Sequence, residues 1–197
     1  GLGDRVPDAK TVWLYREALA KAGMVDELFA QFDGYLARRG YIARGGQILD
    51  ASIVPVPHNH NKREENVAIK AGEVPEDWEK KPAKRSQKDV DARWTKKHGT
   101  SHYGYKNHVN VDRKHKLIRR YHVTDAAVHD SQAVDRLLTR GNTGSGVWAD
   151  AAYRSAEIEA TLKARKLTSH IHRKGKRGKP LTQQAQKSNR TKSTVRV

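Results

Sequence analysis

The stretch Gln47–Ile48–Leu49–Asp50–Ala51–Ser52–Ile53–Val54 constrains this chain more than any other. It is β-prone and apolar on both faces, except at Asp50 and Ser52. A strand of that kind belongs in the middle of a sheet covered on both sides. A carboxylate placed there is costly unless it is paired or binds a metal. The sequence therefore predicts a central strand that carries a potential chemical group.

The flanking sequence sets the architecture around that strand. Residues 1–45 read as helical. Asp8 is a plausible N-cap and Gly23 a C-cap, with Val12, Tyr15 and Leu19 at helical spacing. Val25, Leu28, Phe29, Phe32 and Leu36 mark one face of a second helix with Gly40 behind it, so a small packed pair is expected. Residues 58–100 are highly charged and carry Pro75 and Pro82; they read as an irregular insertion or long flexible loop, too polar for a core of its own.

Residues 102–123 carry the clearest β pattern. Tyr103, Tyr105, Val109 and Val111 alternate with Gly104, Lys106, His108, Asn110 and Asp112, which predicts a buried apolar face and a wet polar one. Arg113–Lys114 turns the chain, and Leu117–Val123 returns as the second strand of a hairpin. Asp130 or Ser131 caps a helix with Ala133, Val134, Leu137 and Leu138, ended by Gly141. Val147–Trp148–Ala149–Asp150 is a short strand ending on an acid. Ser155 opens a further helix with Glu157 and Glu159 in its first turn and basic residues at its end. Leu167–His172 reads as one more strand, and 173–197 is basic and polar.

The order is strand, insertion, hairpin, helix, strand, helix, strand. That is an α/β fold: a ribonuclease H-like mixed sheet flanked by helices, with a small N-terminal helical segment (1–45), a domain at 46–197 and the charged insertion.

Charge narrows the function. Lys and Arg number 39 against 22 Asp and Glu, a formal net charge of +17. Such a field attracts polyanions, of which nucleic acid is the commonest. The absence of cysteine excludes disulfides and a thiolate zinc site. No signal peptide or long apolar run is visible, and a cytoplasmic, nucleoid-associated location is expected. The chain opens at Gly1 and its only Met is Met24, which reads as a piece of a longer protein. Walker, zincin and Ser-His-Asp patterns are absent.

Asp50 and Asp150 each sit at the carboxyl side of a predicted strand. In a ribonuclease H-like strand order those strands are neighbours, so the two acids would face each other. Adjacent carboxylates repel unless a cation lies between them. Mg²⁺ suits the position because it takes oxygen ligands and keeps positions for phosphate and water. A third acid usually completes a two-metal site, with ions about 3.5–4 Å apart. Either acid taken alone is more often a turn or cap residue.

Three blocks resemble signatures of DDE insertion-sequence transposases: Ile48–Leu49–Asp50–Ala51–Ser52–Ile53, His102–Tyr103–Gly104–Tyr105–Lys106–Asn107–His108–Val109 and Trp148–Ala149–Asp150–Ala151–Ala152–Tyr153–Arg154–Ser155. They stand in the family's order, and Val128–His129–Asp130–Ser131 fits it too. The resemblance implies catalytic and metal-binding roles for Asp50 and Asp150, with Mg²⁺ or Mn²⁺ as cofactor. It implies double-stranded DNA as partner: the terminal inverted repeats of an element and its target. It further implies hydrolysis that frees a 3′-OH, strand transfer at the same site, and a homodimer assembled on DNA.

The family's third acid is a Glu in a stretch resembling Arg-x-x-Val-Glu-His. No Asp or Glu follows Glu159. The tail Ser188–Val197 resembles the run-up to that Glu, so the chain reads as cut off just before it, with doubtful activity alone. Lys106 and His108 on the wet face, then Tyr153 and Arg154, are candidate phosphate contacts. Arg173, Lys174, Lys176, Arg177, Arg190 and Lys192 are candidate DNA contacts that would read no bases. His58 and His60 form a weak metal candidate in a loop. The competing readings are an inactive remnant that still binds DNA, a basic RNA-binding protein, and a ribonuclease H-like nuclease of another kind.

Overall fold

The computed structural model describes residues 6–56, 58–97, 99–176 and 178–196. The chain divides into two compact units at Ile42/Ala43.

The first unit is a pair of helices, α1 (Ala9–Lys21) and α2 (Val25–Arg38). Asp8 caps α1 by accepting from the Thr11 N–H at 2.6 Å, which satisfies one of the orphan donors of the first turn. The chain leaves α1 through Gly23 at φ +67°. Asp26 and Glu27 in the first turn of α2 and Arg38 in its last follow the helix dipole. The pair does not bury its apolar residues as expected. No residue of either helix is buried, and Val12, Tyr15 and Phe32 are all exposed.

The second unit is built on a six-stranded mixed sheet in the order β2-β3-β1-β5-β6, with β4 also paired to β3. The strands are β1 (Gln47–Pro55), β2 (Arg93–Lys97), β3 (Thr100–Asp112), β4 (Ile118–Asp125), β5 (Gly146–Trp148) and β6 (Thr168–Ser169). β1 is central, antiparallel to β3 and parallel to β5. Only Gln47, Ile48 and Leu49 are buried; from Asp50 onward β1 is exposed or half-buried, so the doubly covered strand is shorter than its sequence implies.

One face carries the main core. Leu49, Val147 and Ala149 pack with Val134, Leu137, Ile158 and Leu162. The last four come from α6 (Val134–Leu137) and α7 (Ala156–Ala164). Each such side chain removed from water contributes about 1.5–3 kcal/mol. Ser155 caps α7 by accepting from the Ile158 N–H, as its position predicts. α6 is a single turn entered through a 3-10 turn at Asp130–Ala133 and left at Leu138, well short of Gly141.

Tyr103 is buried as expected, but from His108 onward the polarity of β3 is the reverse of expectation. His108, Asn110 and Asp112 are completely buried, whereas Val109 and Val111 are half-buried. Sheet partners share a face, and Ala51, Leu49 and Gln47 oppose His108, Asn110 and Asp112. The polar side of β3 therefore lies in the core, partly satisfied by hydrogen bonds: His108 Nδ1 and Asn110 Oδ1 are buried without a partner. Asn110 donates to Gln47 Oε1 at 2.6 Å and to the Leu137 carbonyl at 2.7 Å. Gln47 Oε1 also accepts from the Thr139 N–H. These bonds offset the cost of burying amides.

Gly104 is required where β3 meets three strands. Its φ is +153°, and a Cβ there would lie 2.2 Å from the Val54 carbonyl oxygen. It pairs with both Pro55 and Arg93, so β2 and then β4 run along the edge of β3 opposite β1.

The insertion is ordered rather than irregular. It holds α3 (Arg63–Lys70), two single turns, α4 (Glu76–Glu79) and α5 (Pro82–Arg85), and β2. It also has a small polar core of its own around Trp78, Asn61 and Glu65. Trp78 donates its indole N–H to Glu65 at 2.8 Å, and Lys84 and Lys88 each lie 3.2 Å from the same carboxylate.

Beyond β6 the chain forms α8 (Gln183–Arg196). Among the described residues no helix is long and apolar enough to cross a membrane.

Candidate active site

β1 and β5 run parallel, with Ile48 opposite Trp148. Two positions further along this register stand Asp50 and Asp150. Asp50 lies within β1, one residue past the buried Leu49, and Asp150 two residues past the end of β5.

Each carboxylate is held by one oxygen. Asp50 Oδ1 accepts from the Ala51 N–H at 3.0 Å and from Arg196 Nη2 at 3.1 Å. Asp150 Oδ1 accepts from the Ala152 N–H at 2.8 Å, capping a 3-10 turn at Ala151–Tyr153. The second oxygen of each is not engaged by these bonds. The donor set thus fits a hard divalent cation, which takes oxygen ligands and leaves room for others. It fits as half a site: among the described residues no group of three or more His, Asp or Glu is placed to hold a metal.

Arg196 is the contact of Asp50 that the sequence did not single out. It stands at the last position of α8, a helix with little apolar periodicity. Lys116 fastens this end by donating to the Val195 carbonyl at 2.7 Å. The Asp50 side chain is 57% exposed and the Arg196 side chain 18%, so the pair lies at the mouth of the site. α8 therefore brings its C-terminal end to Asp50, the end where the resemblance expects a third acid.

The other expected contacts divide. His108 is not on a wet face; it is fully buried, with Nε2 3.0 Å from Thr124 Oγ1, and burial pushes its pKa down. Lys106 is largely buried beside it. Its ammonium donates to the Val128 carbonyl at 2.7 Å and lies 3.0 Å from Asp130 Oδ1. Tyr153 belongs to the core. Burial, then the fields of Asp130, Asp50 and Asp150, push its hydroxyl far above the ordinary range, so it stays protonated. His108 and Tyr153 are corrected to internal residues, which a DNA backbone on the surface does not reach, whereas Lys106 keeps 14% of its side chain exposed. His60 Nε2 is engaged by the Val56 carbonyl at 2.7 Å, and its ring packs against Trp94 and Tyr103. That answers the His58–His60 metal idea with a structural role for His60.

Four of the remaining expected contacts, Arg154, Arg173, Lys174 and Lys176, gather in one place. Arg154, Arg173, Lys174, Lys176 and Lys179 line an open cleft of about 1190 Å³ floored by Pro180, Leu181 and Ala185. Asn189 clamps the backbone of Arg173 through both its N–H and its carbonyl, which leaves the guanidinium free to point outward. Arg154 is tied to Glu159 at 3.3 Å and to the Ile171 carbonyl at 3.1 Å. Lys192 donates to the same carbonyl; burial, then Arg154 and Arg173, lowers its pKa. Arg190 is exposed on α8. Arg177 lies outside the described residues.

Residues 43–197 match the family model for the transposase DDE domain. The chain belongs to the DDE transposase family. It is 32% identical over 184 residues to the transposase for insertion sequence element IS1106 of Neisseria meningitidis serogroup B. The match covers 92% of this chain but 61% of that relative, so the chain spans about three fifths of the relative's length. No solved structure matches the chain. DDE transposase domains generally use divalent metal ions, and the mixed sheet agrees with the ribonuclease H-like fold of such domains.

Proposed function

We propose that this chain carries the metal-binding and DNA-engaging part of a transposase that cuts and joins DNA at the ends of an insertion element. The observation that carries the reading is the position of Asp50 on β1 and of Asp150 just past its parallel partner β5, each with one carboxylate oxygen free of the bonds described. Asp50 and Asp150 would hold Mg²⁺ or Mn²⁺ through those oxygens. The bound cation supplies Lewis-acid chemistry to a phosphodiester. The Ala152 N–H orients Asp150, and Arg196 orients Asp50 and balances its charge while no other cation does so. The cleft of Arg173, Lys174, Lys176 and Lys179 binds backbone phosphates, with Arg154 steadied at its wall. Pairing of two element ends on DNA calls for two copies of the protein.

The test is divalent-dependent nicking of a supercoiled plasmid carrying element ends, together with Mn²⁺ binding by calorimetry. Asp50→Asn and Asp150→Asn are each expected to lower both by about a hundredfold. Undiminished cleavage in either variant overturns the assignment. A second reading, DNA binding without cleavage, is favoured by the lack of a third carboxylate beside the pair among the described residues. It stands if the wild-type chain binds duplex but does not nick it.

A further inference from the structure

The insertion presents a second cleft, of about 490 Å³, between α3 and β2. Its floor is the indole of Trp94, which is 42% exposed. That exposure is not looseness. The indole N–H donates to the Asn61 carbonyl at 3.1 Å, and the ring is backed by Tyr103 and edged by His60 at 5.1 and 5.4 Å. Trp94 pairs across the sheet with Tyr103, which is buried. One side of a large aromatic is thus anchored while the cleft side stays open.

The rim is cationic. Arg63, Val67 and Lys70 succeed one another along one face of α3, and Arg93 closes the opposite side beside Trp94. Arg93 Nη1 is aimed at the Val90 and Ala92 carbonyls, which fixes its guanidinium. No carboxylate lines this cleft. An apolar protein surface seated here would strip water from three cations without pairing them, which is unfavourable. A flat, uncharged ring flanked by phosphates satisfies both parts at once: the ring stacks on the indole and the phosphates meet the rim.

We propose that Trp94 is a stacking platform for an unpaired DNA base, with Arg63, Lys70 and Arg93 receiving the adjoining phosphates. This rests on the reading of the chain as DNA-binding, and it adds a subsite for single-stranded DNA that is separate from the acid pair and from the cleft of Arg173–Lys179.

The experiment is fluorescence anisotropy of the full chain with labelled oligo(dT) and with a duplex of equal length. Trp94→Ala is expected to weaken oligo(dT) binding about tenfold or more, to leave duplex binding within about twofold, and Trp94→Phe is expected to retain most of it. Equal oligo(dT) affinity in wild type and Trp94→Ala overturns the platform while duplex binding still supports the function. Wild-type protein that binds neither probe overturns the DNA reading and this subsite with it. A change of sedimentation on Trp94→Ala, without loss of oligo(dT) affinity, also overturns it and marks a protein contact instead. If Trp94→Ala unfolds, Lys70→Glu, an exposed substitution, decides: the ratio of oligo(dT) to duplex affinity is expected to fall severalfold, and an unchanged ratio overturns the proposal.

Discussion

Asp112 closes the β3–β4 turn almost by itself. Its carboxylate accepts from the backbone N–H groups of His115 and Leu117 at 2.8 and 3.3 Å and from Arg119 Nε at 2.9 Å. The Arg119 and Asp112 side chains are 5% and 0% exposed. A buried pair of this kind gains little over apolar packing, but removing one charge is costly because the other stays desolvated. Asp112→Asn keeps the shape and deletes the charge, so it is expected to destabilise the domain by about 3 kcal/mol, read as a lower urea midpoint with unchanged slope. A loss below about 1 kcal/mol would show that the buried guanidinium does not require a negative charge at this position. The same residue explains why β3 misleads when read for alternation. An Asp in a turn-proximal strand looks solvated, yet here it is the most deeply committed acid of the hairpin.

At the scale of elements, the insertion depends on Glu65. Burial alone would raise its carboxyl, but the Lys62 N–H, the Trp78 indole N–H, Lys88 and Lys84 together hold it down at about 2. The folded value is below the unfolded one, so the carboxylate stabilises the insertion fully above the unfolded pKa near 4.5. That contribution, roughly 3 kcal/mol, is lost as pH falls from about 4.5 toward 2. Trp78 fluorescence is expected to report opening of this region across that window, and Glu65→Gln to open it already at neutral pH; no pH response in Glu65→Gln relative to wild type at pH 3 completes the check. Sequence patterning missed this element because its interior is made from one Trp and a ring of polar partners, which leaves no hydrophobic period to read. α8 was hidden for the same reason: Ala185 is its one buried residue. What was legible were the segments whose burial is apolar, β1 up to Leu49, β5, and the capped helix α7. Asp50 and Asp150 were legible because they interrupt or end such segments. Arg196 was not, because its partner lies 146 positions away and nothing local marks it.

At the scale of the whole molecule, a net charge of +17 makes association with any polyanion favourable, and the question is where the charge acts. The second unit offers two cationic clefts of different character. The one around Trp94 pairs three cations with an aromatic floor. The one at Arg173–Lys179 has cations over aliphatic residues, with its acid Glu159 already tied to Arg154. Aliphatic floors give no stacking, so on the proposed function duplex affinity there would come from counterion release, and its logarithm would fall linearly with the logarithm of salt. Each phosphate contact contributes about 0.9 to that slope. Lys174 is exposed and lies on this cleft. Lys174→Ala is therefore expected to reduce the slope of duplex binding by about one unit and to leave the melting temperature unchanged. The slope for oligo(dT) should respond less, since part of that affinity comes from stacking that salt does not screen. A duplex slope that ignores Lys174 would move the phosphate path off this cleft. The basic surface would then act through its summed field, drawing DNA to the molecule without a fixed track.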